Sequence, residues 1–107
     1  MILGLDVSTS RTGWAIITDE GEYVDSDFFK MKPKTPLEER ATLLEEQVLE
    51  PLFAKYIINE VRIEEPFSMF SGGKTTAKTM SSLQRFNGMV SLLAYQHLGK
   101  PPTMVGA

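Results

Sequence analysis

Asp6 and Glu64 are the residues of this sequence that most need a chemical explanation. Asp6 ends the apolar run Ile2-Leu3-Gly4-Leu5, and Glu64 ends Val61-Arg62-Ile63. A carboxylate at the end of a buried strand is costly, so it calls for a cation, a hydrogen-bond donor or an opening to water. If the two runs are neighbouring parallel strands, both acids stand at strand carboxyl ends, where open α/β sheets place their ligand crevice. Two close carboxylates repel. A divalent cation with oxygen ligands, usually Mg²⁺, relieves that repulsion and leaves positions for water and phosphate oxygens. Glu65 competes with Glu64, but strand alternation favours Glu64: it shares parity with Arg62 on the polar side, whereas Glu65 shares parity with Val61 and Ile63. A blander reading stands beside this one, in which Asp6 caps the turn to Thr9 and Glu64 pairs with a nearby base such as Arg62.

Other residues invite chemistry less strongly. Ser71-Gly72-Gly73-Lys74-Thr75 resembles part of a phosphate-binding loop, but Ser68 stands where the first glycine of that motif belongs. His97, the single histidine, sits near a helix C-terminus, where a half-buried or dipole-pairing role fits best. Trp14 reads as core, and the scattered methionines read as gap-fillers. With no cysteine there is no disulfide, thiolate zinc site or thiol nucleophile, which leaves any metal to oxygen ligands or His97.

The elements that must carry Asp6 and Glu64 follow from patterning. Residues 2–7 read as a buried strand, residues 8–13 as a polar turn, 14–18 as a second strand and 23–31 as a third, an antiparallel meander. Thr35-Pro36-Leu37-Glu38 has the form of a capping box with proline at the first helical position. The helix it opens carries Leu37, Ala41, Leu44, Val48 and Leu52 on one face, and Pro51 should kink or divide it near Leu49. Val61 to Glu64 form a fourth strand ended by Pro66, and residues 68–75 read as a loop. A second helix runs from about Thr75 to Leu98, with Met80, Leu83, Val90 and Leu93 or Ala94 toward the core and Gly99 just past its end. Thr103-Met104-Val105 form a last strand. The order β-β-β-α-β-α-β, with crossover helices of this length, predicts an α/β fold in which the first, fourth and fifth strands run parallel in one mixed sheet.

Length and charge set the outer bounds. The chain has 107 residues, 42% of them hydrophobic and 23% charged, as expected of one globular domain. The formal net charge is −3, but residues 1–65 carry all 14 acids and seven bases, net −7, while residues 66–107 carry Lys74, Lys78, Arg85 and Lys100 and no acid, net +4. One half is suited to concentrate cations and the other to meet an anion, although a solvated surface explains the same asymmetry. No apolar run is long enough to span a membrane, and the N-terminus lacks the form of a signal peptide, so the expected setting is cytoplasmic with no membrane partner.

Leu3-Gly4-Leu5-Asp6-Val7-Ser8-Thr9-Ser10-Arg11-Thr12-Gly13-Trp14-Ala15-Ile16 resembles the opening strand-turn-strand of the RuvC-like Holliday junction resolvases. Ile63-Glu64-Glu65-Pro66-Phe67 resembles their second acidic strand, and residues 83–88 resemble the helix that follows. The resemblance implies a ribonuclease H-like fold over residues 1–107 and metal-dependent hydrolysis of phosphodiesters in branched DNA, the four-way junction, by a homodimer using Mg²⁺ or Mn²⁺. Asp6 and Glu64 would be the catalytic metal ligands, with Glu65 the lesser alternative. Two further acidic or histidine ligands come from a later helix in this family, and no acid follows Glu65 here. The chain therefore resembles an N-terminal portion, expected to bind metal weakly and to cleave little or not at all by itself. Ser8, Thr9 and Ser10 are candidates for a phosphate or a metal-bound water, or simply satisfy their own turn. Lys74, Lys78 and Arg85 are candidates for backbone-phosphate contacts. Phe67, Met69 and Phe70 either wedge into a junction or pack under their loop. The apolar face of the second helix is a candidate dimer contact.

Two other readings remain open. Actin-like sugar kinases also open with a Gly-x-Asp strand and a Ser/Thr/Gly turn that cradles ATP phosphates, and residues 4–13 fit that loosely. A noncatalytic module recognising branched DNA or a protein through the basic helix is the third.

Overall fold

The computed structural model describes residues 1–66 and 77–106. Five strands, β1 (Ile2–Asp6), β2 (Arg11–Ile17), β3 (Tyr23–Lys30), β4 (Glu60–Glu64) and β5 (Thr103–Val105), form one sheet in the order β3-β2-β1-β4-β5. The first three make the expected antiparallel meander, and β4 pairs parallel with both β1 and β5. Parallel pairing needs a crossover between β1 and β4, and the helical segment after β3 lies within it. The predicted second strand begins too late. Pairing starts at Arg11↔Lys30, because Thr12 is fully buried and bonded into the turn, which carries the ladder to the turn's edge.

Strand alternation sorts the sheet into two unlike faces. Leu3, Leu5, Ile16, Val61 and Ile63 are buried in one hydrophobic cluster with Leu44, Leu49 and Leu52 from the first helical segment and Phe86, Val90 and Ala94 from α3 (Ala77–Leu98). The first segment is α1 (Leu37–Leu44), a π-helical turn (Glu45–Leu49) and α2 (Glu50–Lys55) in unbroken succession. Pro51 explains the π turn. It has no N–H to donate back along the helix, and the backbone widens instead, with Glu50 N–H donating to the Glu45 carbonyl five residues back. The expected kink is thus a bulge that leaves the chain helical. The extra residue in that turn lets both Val48 and Leu49 face the core, where patterning had included only Val48.

Two further details depart from expectation. The capping box does not form: Pro36 occupies the N-cap with ψ 147°, the helix starts at Leu37, and no side chain caps it. Thr35 is engaged through its backbone, its N–H donating to Lys32 (3.1 Å) and its carbonyl accepting from Arg40 Nε (2.6 Å). In α3 the face toward the core is Phe86, Asn87, Val90 and Ala94, while Met80 and Leu83 are only half-buried. That face is consumed by packing within the chain, so it is not the dimer contact expected above; Leu92 and Tyr95 are the large apolar residues α3 leaves exposed. Gly99 ends the helix as expected, with φ +81° and its N–H on the Tyr95 carbonyl at 2.8 Å. His97 is structural: Nε2 lies 3.0 Å from Glu45 Oε2 and the ring stacks on Phe53, fastening α3 to the π turn. Trp14 and Met89 pack against the core and Met31 lies within it. No helix among the described residues is long and apolar enough to cross a membrane.

Arg40 joins the helical layer to the sheet edge. Besides Thr35 it donates from Nη1 to the Thr9 carbonyl at 2.8 Å and from Nη2 to the Pro33 carbonyl. Hydrogen bonds from a charged donor are worth about 1.5–3 kcal/mol each where partly buried, and carbonyls left unpaired by its loss are partly rehydrated. Arg40→Met is therefore expected to lower unfolding free energy by about 2 kcal/mol in urea titrations, and an unchanged midpoint would refute this anchoring role.

Candidate functional site

The parallel register between β1 and β4 sets Leu3 against Val61, Gly4 against Arg62 and Leu5 against Ile63. The next step along both strands sets Asp6 against Glu64. Each is the terminal residue of its strand, each is exposed, and both line one groove on the sheet face opposite the helices. Adjacent strands lie about 4.8 Å apart, so the two carboxylates are neighbours rather than distant residues of one edge. Glu65 falls on the other parity and does not line this groove; its N–H pairs with the Val105 carbonyl at 2.8 Å.

Neither blander role for these acids is what the structure contains. Arg62 is bonded to Glu60, with Nε to Oε2 at 2.9 Å and Nη2 to Oε1 at 3.3 Å. The guanidinium beside Glu60 holds that carboxyl below its ordinary range, and Glu60 in turn raises Arg62. The turn after β1 is closed by Thr12 instead of Asp6: Thr12 Oγ1 donates to the Ser8 carbonyl (3.0 Å) and accepts from the Ser8 N–H (3.4 Å). Among the described residues, neither the Asp6 nor the Glu64 carboxylate has a hydrogen bond or ion pair.

Several groups hold the two strand ends. The Ser10 carbonyl accepts from Met31 N–H at 2.8 Å, and the Thr9 carbonyl accepts from Arg40. Asn87, nearly buried on α3, donates from Nδ2 to the Glu64 carbonyl at 3.2 Å, fixing the end of β4 from the helix side. Patterning gave no weight to Asn87, though an amide among core positions of a helix, between Phe86 and Val90, is a signal that a buried partner is needed.

The candidate anion-binding residues separate into two groups. Ser8 and Ser10 hydroxyls lie 3.4 Å apart, and Ser8 Oγ also faces the Ser10 N–H at 3.5 Å, so both serve the turn. Thr9, Lys78 and Arg85 line a second groove, between the turn, the start of α1 and the first turns of α3. Lys34 and Arg40, which local patterning passed over, line it as well, against a single acid, Glu38. Lys34 and Arg40 become neighbours of Lys78 and Arg85 only through tertiary folding, so no spacing rule finds them. Lys74, Phe67, Met69 and Phe70 lie outside the described residues.

Two hard oxygen donors on one face suit a hexacoordinate cation that keeps most of its shell for water and phosphate. No group of three or more His, Asp or Glu side chains that could hold a metal occurs among the described residues, so a cation here would rest on this pair and on ligands from elsewhere.

Comparison with known proteins finds no matching family model and no matching curated protein. Among solved structures, Thermus thermophilus RuvC in complex with a Holliday junction substrate superposes with a TM-score of 0.76 at 20% identity, and another structure of Thermus thermophilus RuvC with 0.70 at 23%. Both matches cover 98% of this chain and 63% of the RuvC chain, so this chain spans under two thirds of those proteins. A Listeria monocytogenes protein assigned as an N-acetylmannosamine kinase matches with 0.51 at 16%, over 34% of its length. The mixed sheet, its strand order and these superpositions together show that the chain has the ribonuclease H-like fold in the form found in RuvC.

Proposed function

We propose that this chain is the N-terminal portion of a divalent-metal-dependent endonuclease that hydrolyses phosphodiesters in branched DNA, with residues 1–107 forming one ribonuclease H-like domain. The observation that carries this reading is the meeting of Asp6 and Glu64, without partners among the described residues, on adjoining parallel strand ends in one groove. The RuvC complex contains a Holliday junction, which supports branched DNA as the substrate class. Asp6 and Glu64 would hold Mg²⁺ or Mn²⁺; when bound, such an ion polarises the phosphoryl oxygen and offsets the charge that develops during hydrolysis. The turn at residues 8–10, fixed by Thr12 and Arg40, keeps the Asp6 side of the site in place. Asn87 does the same for Glu64. On the helix side of that turn, Lys34, Lys78 and Arg85 would hold backbone phosphates of the arm leading from the cut.

With two carboxylates as its own donors, the chain is proposed to bind the metal weakly and to cleave poorly by itself. Two copies acting on a symmetric junction would form the working unit, and the exposed Leu92 and Tyr95 of α3 are the proposed contact. The kinase fold match is the weaker one, and no observation in the groove favours a nucleotide triphosphate over a phosphodiester.

Two predictions test this reading. A fluorescent four-way junction should bind the chain more tightly in Mg²⁺ than in EDTA, and Asp6→Asn and Glu64→Gln should each abolish that difference while leaving metal-free binding intact. Metal-independent binding in the parent chain would favour a noncatalytic module, and thermal stabilisation by Mg-ATP without DNA binding would favour the kinase reading. Separately, Lys78→Gln and Arg85→Gln should each reduce the slope of log K against log salt by about one, as expected for loss of one phosphate contact. Unchanged slopes in both would remove the second groove from the DNA path.

A further inference from the structure

At the carboxyl end of β1 the register places five residues in one row across the open sheet face. Val105 pairs with Glu64, Asp6 with Gly13, and Gly13 with Phe28, while Asp6 and Glu64 adjoin across the parallel pair. The row therefore runs from the two carboxylates, over a residue with no side chain, to an aromatic ring. The Phe28 ring lies over Gly13: a Cβ there would meet the ring at 3.4 Å and the Asp6 Cβ at 3.8 Å, so the aromatic ring and Asp6 flank the glycine from either side.

Phe28 is 58% exposed on the edge strand β3, and all of Asp6, Gly13, Phe28 and Glu64 line the same groove. The guanidinium of Arg11 lies over the ring, 4.0 Å from its centroid. Arg11 has no carboxylate partner among the described residues, and the nearest acid on the strand beside it, Asp27, bonds through Oδ1 to the Phe28 N–H. A flat ring backed by an unneutralised cation beside two acids fits a ligand that presents an aromatic face and a negative charge one step from a phosphate. One unstacked nucleotide has that combination.

We propose that Phe28 and Arg11 form a shelf on which one unstacked base of the DNA strand rests, its neighbouring phosphate facing Asp6 and Glu64, where a divalent cation held by the two acids would offset their charge, and the next phosphate within reach of Arg11. The shelf rests on the nucleic-acid reading above and adds a specificity element to it: it selects a strand whose base is free of its stack, as at a branch point, over continuous duplex.

The test uses the 107-residue chain and a four-way DNA junction with 2-aminopurine at the branch point, titrated in Ca²⁺ so that the charge of Asp6 and Glu64 is offset where the phosphate approaches. The parent chain should quench the probe and bind the junction more tightly than continuous duplex. Phe28→Leu should weaken junction binding about tenfold and remove the quench, and Phe28→Trp should keep both. Arg11→Gln should lower the salt slope by about one. Because both side chains are exposed, the urea midpoints of these variants should match the parent, and Arg11→Gln gives an independent reading if Phe28→Leu does not fold. Junction binding and quench unchanged in Phe28→Leu, or an unchanged salt slope in Arg11→Gln, would overturn the shelf while the Lys78 and Arg85 variants still report on DNA binding. A parent chain that binds no DNA would instead overturn the nucleic-acid reading itself.

Discussion

Parallel pairing of β1 with β4 is the constraint on which the rest of this molecule depends. It buries Leu3, Leu5, Val61 and Ile63 together under the helices. Because side chains alternate with a period of two, the same pairing sends Gly4, Asp6, Arg62 and Glu64 to the opposite face. A slip of one residue in either strand would bury an acid and expose a core aliphatic, so the apolar face enforces the register that brings the acids together. Hydrophobic burial, which is non-directional, is in this way converted into placement of two specific carboxylates.

That placement leaves two adjoining acids without a hydrogen-bond or ion-pair partner among the described residues. The arginines near the site are committed elsewhere: Arg62 to Glu60, Arg40 to three backbone carbonyls, and Arg11 to the face of Phe28. Of these, the Arg40 bonds tie the turn at Thr9 to the start of α1. None of them neutralises Asp6 or Glu64. The two exposed acids stand at the carboxyl edge of a mixed α/β sheet, the position at which open α/β sheets generally place a ligand crevice. The cations that line the second groove lie across the turn at residues 8–10, so acidic and basic surfaces adjoin without cancelling.

Legibility varied by the range of the interaction. The strands and the long helix were visible because each is a local pattern: alternation in Val61 to Glu64, heptad-like spacing in α3, and a glycine after Leu98. The capping box at Thr35 failed although its local signal was good, because Pro36 adopts an extended ψ and Arg40 claims the Thr35 carbonyl. Pro51 was correctly placed as a disturbance, but whether a proline kinks, breaks or widens a helix depends on what the neighbouring faces must bury, and here burying Leu49 selected the π turn. Phe86 and Asn87 were missed for the same reason: the face a helix presents is set by the sheet beneath it.

By itself the sequence determined the element order, the strand parity of Asp6 and Glu64, and the separation of acidic from basic halves, since all three depend on residue type and on periods of two or 3.6 along the chain. Only the tertiary structure decided that these acids lack partners among the described residues, that Lys34 and Arg40 join Lys78 and Arg85, and that Phe28 with Arg11 stands one strand beyond Gly13 from Asp6. Those relations link residues far apart in the chain or on separate strands. Competition for each donor and acceptor is resolved only once the backbone has closed, and no local rule can foresee which partner wins.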